Sequence, residues 1–283
     1  MKRMILGLAL AVAISTLMLA CGGGESAAPE AKTETAPAAA PPASGGSATI
    51  SGTATYTNGD PDTEIKMDAD PVCASLHGDA VHTETVVHDD AGNLANVFVY
   101  VKEGVTGSYP TPADAHVLDQ LGCQYHPHVS GLQVDQKLVI RNSDPTLHNV
   151  HAMPAVNKEF NMGQPFQGME LEHTFDKTEV MVRFKCDVHP WMASYMAVLD
   201  HPFFGVSGAD GSYAIGDLPA GDYVIEAWHE ELGTQTQNVT VEDGGAVEVS
   251  LDFSPAGYSA TRFESRGTGA LSGARAFSPS LSR

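Results

Sequence analysis

Residues 179–192 constrain this chain more than any other stretch. From Glu179 to Cys186 the sequence alternates, with Val180, Val182, Phe184 and Cys186 on one side and Met181, Arg183 and Lys185 on the other. A period of two predicts a strand with one face on a core, and it turns the Cys186 thiol inward with the apolar set. The strand runs into Cys186-Asp187-Val188-His189-Pro190-Trp191-Met192, which spaces a thiol, an imidazole and a thioether three residues apart. Such donors on one short loop suit copper, which in its blue electron-transfer sites takes two His and one Cys in a plane with a distant Met. The second imidazole has an obvious source in Asn142-Ser143-Asp144-Pro145-Thr146-Leu147-His148-Asn149-Val150-His151. Plainer readings exist for each part. A Cys at a strand end is often a small buried hydrophobe. One Cys and two His can hold zinc with an open fourth position, and Met192 can be core filler.

The two motifs together resemble those of the cupredoxins, of the amicyanin and plastocyanin kind. The likeness lies in the His148-Asn149-Val150-His151 stretch and in the Cys-x-x-His-Pro-aromatic-Met loop, and spans roughly residues 95–200. It implies a Greek-key β-sandwich holding one type 1 copper ion, with His148, Cys186, His189 and Met192 as ligands. His151 is the weaker His of its pair. The resemblance also gives Asn149 the task of tying the His148 strand to the Cys186 loop. Pro190 would stiffen that loop, since it fixes φ and offers no N–H. His189 is expected to present its far edge to solvent, ringed by Pro190 and Trp191, as the electron port; Trp191 could equally pack beneath the loop.

The chain opens with Lys2 and Arg3, then an apolar run from Met4 to Ala20, ending Leu17-Met18-Leu19-Ala20-Cys21. That segment, residues 1–20, resembles a bacterial lipoprotein signal with lipidation at Cys21, which implies a tether to the cell envelope at the outer membrane, facing the periplasm or the surface. An uncleaved anchor is the alternative, though the run is short for a spanning helix. Residues 21–47 are a linker rich in Ala, Pro, Gly and Ser that cannot bury enough apolar surface to order. With Cys21 and Cys186 assigned, Cys73 and Cys123 remain, and an even pair outside the cytoplasm suggests a disulfide. Cys123, His126 and His128 could instead form a second metal cluster.

From about residue 48 onward the chain reads as all-β. Ala48–Tyr56, 84–88, Ala95–Val101, Leu132–Asn142 and Tyr195–Leu199 are strand-like, Asn58-Gly59-Asp60-Pro61 is a turn signal, and 154–172 is irregular. Val97, Val99 and Val101 face one way and Phe98 and Tyr100 the other, so that strand is apolar on both faces. Residues 203–253 resemble the carboxypeptidase regulatory-like, or transthyretin-like, Ig-type β-sandwich in Gly211-Ser212-Tyr213-Ala214-Ile215 and Leu218-Pro219-Ala220-Gly221-Asp222-Tyr223-Val224. The expected order is a cupredoxin domain with a β extension at 48–202, then this smaller module. Fifty residues are few for about seven strands, so 48–104 could supply the rest. Both arrangements stay open. Residues 254–283 read as a disordered tail.

The 35 acidic against 15 basic residues, a net charge of −20, argue against nucleic acid and favour a cationic protein partner. A redox protein such as a c-type cytochrome fits that charge. No nucleophile elbow, phosphate loop or paired-carboxylate motif is visible, so the expectation is a single-electron carrier rather than an enzyme. A copper-delivery protein and an envelope interaction module are the alternatives. His201 and His229 could form a further site at the domain junction, or serve the structure alone.

Overall fold

The structure, a computed structural model, describes residues 45–57 and 63–254. The expected signal segment, Cys21, the linker as far as residue 44, the turn from Asn58 to Pro61 and the tail beyond Ser254 lie outside the described residues. Among the described residues the chain is all-β apart from one five-residue helix, and no helix is long and apolar enough to cross a membrane. The order is β1 (Ala48–Thr55), α1 (Pro71–Ser75), β2 (Phe98–Glu103), β3 (His116–Leu121), β4 (Gln124–His126) and β5 (Val129–Gln133). Next come β6 (Leu138–Asn142), β7 (His148–Met153), β8 (Phe160–Gln164), β9 (Glu170–His173), β10 (Glu179–Lys185) and β11 (Ala193–Leu199). The described residues end with β12 (Phe204–Val206), β13 (Ser212–Leu218), β14 (Gly221–His229), β15 (Gly233–Val241), β16 (Ala246–Glu248) and β17 (Leu251–Asp252).

These strands build two sandwiches. The first packs the sheet β5-β11-β10-β7-β8 on the sheet β4-β3-β6-β9, around Leu118, Ile140, Val150, Phe175, Val182 and Phe184. The second packs β12-β2-β14-β15 on β13-β1-β16, with β17 also paired to β1, around Ile50, Val99, Ile215, Ile225 and Val241. The boundaries expected at 48–202 and 203–253 are therefore corrected. β1 pairs with β13, β16 and β17, and β2 lies between β12 and β14, so both belong with the C-terminal strands. The physical reason is strand supply: residues 203–253 cannot close two sheets alone. The first sandwich, residues 116–199, is inserted between β2 and β12.

The two-faced apolar pattern of β2 joins the halves. Val97, Val99 and Val101 enter the core of the second sandwich. Phe98 and Tyr100 enter a third cluster with Val129, Ala197 and Leu199 of the first. At Gly131 of β5 the approach is so close that a Cβ would lie 2.8 Å from the rings of both Phe98 and Phe204.

Local expectations also shift. Leu132–Asn142 is not one strand: Asp135, at φ 62°, turns the chain between β5 and β6. Residues 84–88 make only a bridge at His88, whereas 154–172 contains β8 and the start of β9. The alternation in β10 holds for Val182, Phe184 and Cys186, which share the first core. It fails at Val180, which packs between the sandwiches, because the register against β11 shifts between Glu179 and Val182.

Candidate metal centre

The site lies at one end of the first sandwich, where β7 begins and β10 ends. The sequence builds the approach to His148 from a turn: Asn142 Oδ1 accepts from the Asp144 N–H at 2.9 Å, and its Nδ2 donates to the Thr146 carbonyl at 2.8 Å. Asp144 is thereby held inward. Its carboxylate accepts from the N–H groups of Gly122 and Cys123, each at 2.7 Å, and lies 2.9 Å from His148 Nε2. His148 is fully buried, and its Nδ1 faces His189 Nδ1 at 2.9 Å.

Cys186 is next to them. Its Sγ accepts from the His189 N–H at 3.4 Å and lies 3.9 Å from His189 Nδ1. Ligand atoms of His148, Cys186 and His189 all fall within 4.8 Å of one another. Met192 is buried in the same core as Cys186, and its N–H donates to the His189 carbonyl at 2.9 Å, closing the loop on itself. Asn149 links the two segments: its Oδ1 accepts from the Asp187 N–H at 2.7 Å and sits 3.3 Å from Cys186 Sγ. Pro190 is exposed on the loop. Cys73 and Cys123 form a disulfide, so Cys123 has no free thiolate to offer; its sulfur lies near Asp144 and His148, and among the described residues it does not group with His126 and His128.

One expectation is corrected, and of the two places left open for Trp191 the packed one is taken. His189 does not show an edge to solvent. It is 1 % exposed, with Nε2 3.0 Å from Asp70 Oδ2 and 3.5 Å from the disulfide sulfur of Cys73. The helix α1, anchored by that disulfide, covers the ring. Nor does Trp191 form a free rim. Its indole N–H donates to the Cys123 carbonyl at 3.0 Å, and its ring lies 5.1 Å from that of His189, so it packs against the loop. The electron port assigned to His189 and Trp191 is closed in this conformation.

Other histidines lie apart. His151, three residues beyond His148 and thus on the opposite face of β7, is bracketed by Glu159 at 2.7 Å and Asp187 at 3.2 Å. His128 lies between Glu230 and Glu84. His201 accepts from the Phe203 N–H, and His229 from those of Glu231 and Leu232, so each serves its own turn.

The electrostatics suit a cation. Burial alone would raise the Cys186 thiol, but His148, His189 and the N–H groups of Asn149 and His189 outweigh it and bring it down to about 6. Burial alone would lower His148, yet Asp144 and Cys186 raise it to about 8. His189 is likewise raised, by Cys186 and Asp70 against burial. Both Nε2 atoms face carboxylates and so carry their protons, which fixes the tautomers and leaves two Nδ1 atoms opposed with at most one proton between them. A metal ion held by both, with the thiolate beside it, fits this donor set. Asp144 and Asp70 escaped the reading of the sequence. Asp144 had a signal, lying four residues before His148; Asp70 had only its Asp-Pro helix start.

No family model and no curated protein matches the chain. Similar solved structures include the Cu-containing nitrite reductase (NirK) from Thermus scotoductus SA-01, 17% identical over 35% of this chain and 25% of that one, TM-score 0.28. A purple cupredoxin from Nitrosopumilus maritimus is 26% identical over 26% of this chain and 81% of its own, TM-score 0.24. A reduced mutant amicyanin is 22% identical over 31% and 84%, TM-score 0.27. The match thus spans only a quarter of the reductase.

Proposed function

We propose that this chain is a type 1 copper protein of the cupredoxin kind that carries single electrons in the cell envelope. The carrying observation is the convergence of two buried imidazole Nδ1 atoms, 2.9 Å apart, on a Cys186 thiol whose acidity is strengthened. Copper bound there by His148, Cys186 and His189, with Met192 at a distance, would supply a one-electron couple. Asp144 holds His148 in one tautomer, Asn149 ties strand to loop, and the β-scaffold resists movement between redox states. Water is excluded: Cys186, His189 and Met192 are each 1 % exposed. That burial speaks against copper delivery, which needs ligands a partner can reach.

The test is a visible spectrum of the mature chain loaded with Cu(II). An intense thiolate-to-copper band is expected, absent from Cys186→Ala and retained in His151→Ala. A protein that stays colourless with Cu(II) but takes up Zn(II) would overturn the reading.

The proposal extends to setting. Cys21 would carry lipid and tether the protein to the outer membrane; Cys21→Ser should then release it to the soluble fraction. The net charge of −20 favours a cationic redox partner such as a c-type cytochrome. The association rate should fall as salt rises and the Debye length shortens; a flat response would remove the charge argument.

A further inference from the structure

Asp70 precedes His189 by 119 residues, yet one carboxylate serves both its own helix and the metal site. Its Oδ1 caps α1, accepting from the N–H groups of Val72 at 2.8 Å and Cys73 at 3.4 Å. Its Oδ2 turns the other way, 3.0 Å from His189 Nε2 and 3.3 Å from Thr146 Oγ1. The helix that presents it is not free to swing. Cys73 is bonded to Cys123, and His77 Nε2 lies 2.7 Å from the Gly122 carbonyl just before it. Asp144 holds the far nitrogen of His148 from within the same sandwich, whereas Asp70 reaches His189 from a segment outside both sheets of that sandwich.

We propose that Asp70 is a positioning residue of the copper centre, holding His189 through Nε2 so that Nδ1 faces His148 and Cys186 in both oxidation states, and that its charge favours the oxidised form. The inference rests on the copper reading above. A carboxylate that accepts the Nε2 proton fixes the tautomer and makes the imidazole a stronger donor. Its negative charge, on the far side of the His189 ring from Nδ1, would add a Coulomb term at the metal even though the carboxylate is still partly open to solvent, its side chain 22% exposed. Both effects stabilise Cu(II) over Cu(I). Capping alone predicts neither.

Asp70→Asn and Asp70→Ser separate the two duties, because Asn and Ser cap helices about as well as Asp while neither carries the charge. Reduction potentials of the copper-loaded wild type and both variants are compared by redox titration of the thiolate band. The expected result is a roughly tenfold shift of the Cu(II)/Cu(I) preference toward Cu(I) in both, a potential raised by about 59 mV. In the diamagnetic Cu(I) protein, the His189 Nε2–H should exchange with solvent slowly in wild type and fast in Asp70→Ser. If Asp70→Asn fails to fold, Asp70→Ser decides. Potentials and exchange unchanged in a blue protein would overturn the role of Asp70 and leave the copper reading standing. A wild type without the thiolate band would remove the copper reading and this proposal with it.

Discussion

The two sandwiches each bury histidine, and they treat it in opposite ways. In the first, His148 and His189 each face a carboxylate, from Asp144 and Asp70, and both are raised toward the charged form, His148 to about 8. In the second, His229 is as deeply buried, but its Nδ1 accepts two backbone N–H groups and its Nε2 has no partner. Burial then dominates and lowers it to about 4. Fold class does not set the fate of a buried imidazole; the placement of a carboxylate does. The first sandwich has its rings aimed by carboxylates, one buried in it and one on the covering segment, while the second keeps an apolar core in which a neutral His closes a turn.

The largest expected effect removes the aimed side altogether. His148→Ala should abolish the thiolate band of the copper-loaded protein, while His229→Asn should leave it intact, as read by visible absorption. A band surviving His148→Ala would break the comparison. Next in size is the bond that holds the cover over His189. The Cys73–Cys123 disulfide closes a loop of 50 residues, and removing it with paired Ala substitutions should cost about 4 kcal/mol in denaturant unfolding. Asp144→Ala should cost about 3 kcal/mol in the metal-free protein, because His148 and two N–H groups lose a buried acceptor. Gly131→Ala should cost about 1–3 kcal/mol by forcing apart the aromatic contact between the sandwiches, seen as a lower Tm.

The pH dependence sharpens the contrast further. His229 has a folded value below its unfolded one, so the unfolded state binds the extra proton. Its contribution is present above about 6.5 and is lost as pH falls toward 4. His148 has a raised folded value, so its contribution is present below about 6.5 and lost as pH rises through 8. Thermal unfolding of the metal-free protein between pH 4 and 6.5 should therefore show a positive stability slope that His229→Asn reduces. An unchanged slope in that variant would place the acid sensitivity elsewhere.

Much of this was legible before the structure. The order and spacing of His148, Cys186, His189 and Met192 are local facts, and a strand of period two delivers Cys186 inward whatever surrounds it. The two-faced pattern of Phe98–Val101 already required packing on both sides. What stayed hidden depends on pairing at long range. Nothing local says that Ala48–Thr55 will lie against Leu251 and Asp252, or that an Asp-Pro helix start will meet a ring 119 residues later. The exposed edge expected of His189 failed for the same reason: a neighbouring segment covers it, and sequence reads neighbours poorly.

The insertion of one sandwich within the other also sets the order in which pairing partners become available along the chain. As the chain emerges from its N-terminus, β1 and β2 appear first, but their partners β12, β13, β14, β16 and β17 come only after the whole of residues 116–199. The inserted half can close while the outer half is still two strands waiting with unpaired edges. High contact order makes such a half slow to form and prone to pair with the wrong neighbour. A finished inner sandwich would bring the two ends of the outer one together, and so would work as a template on which its host completes itself.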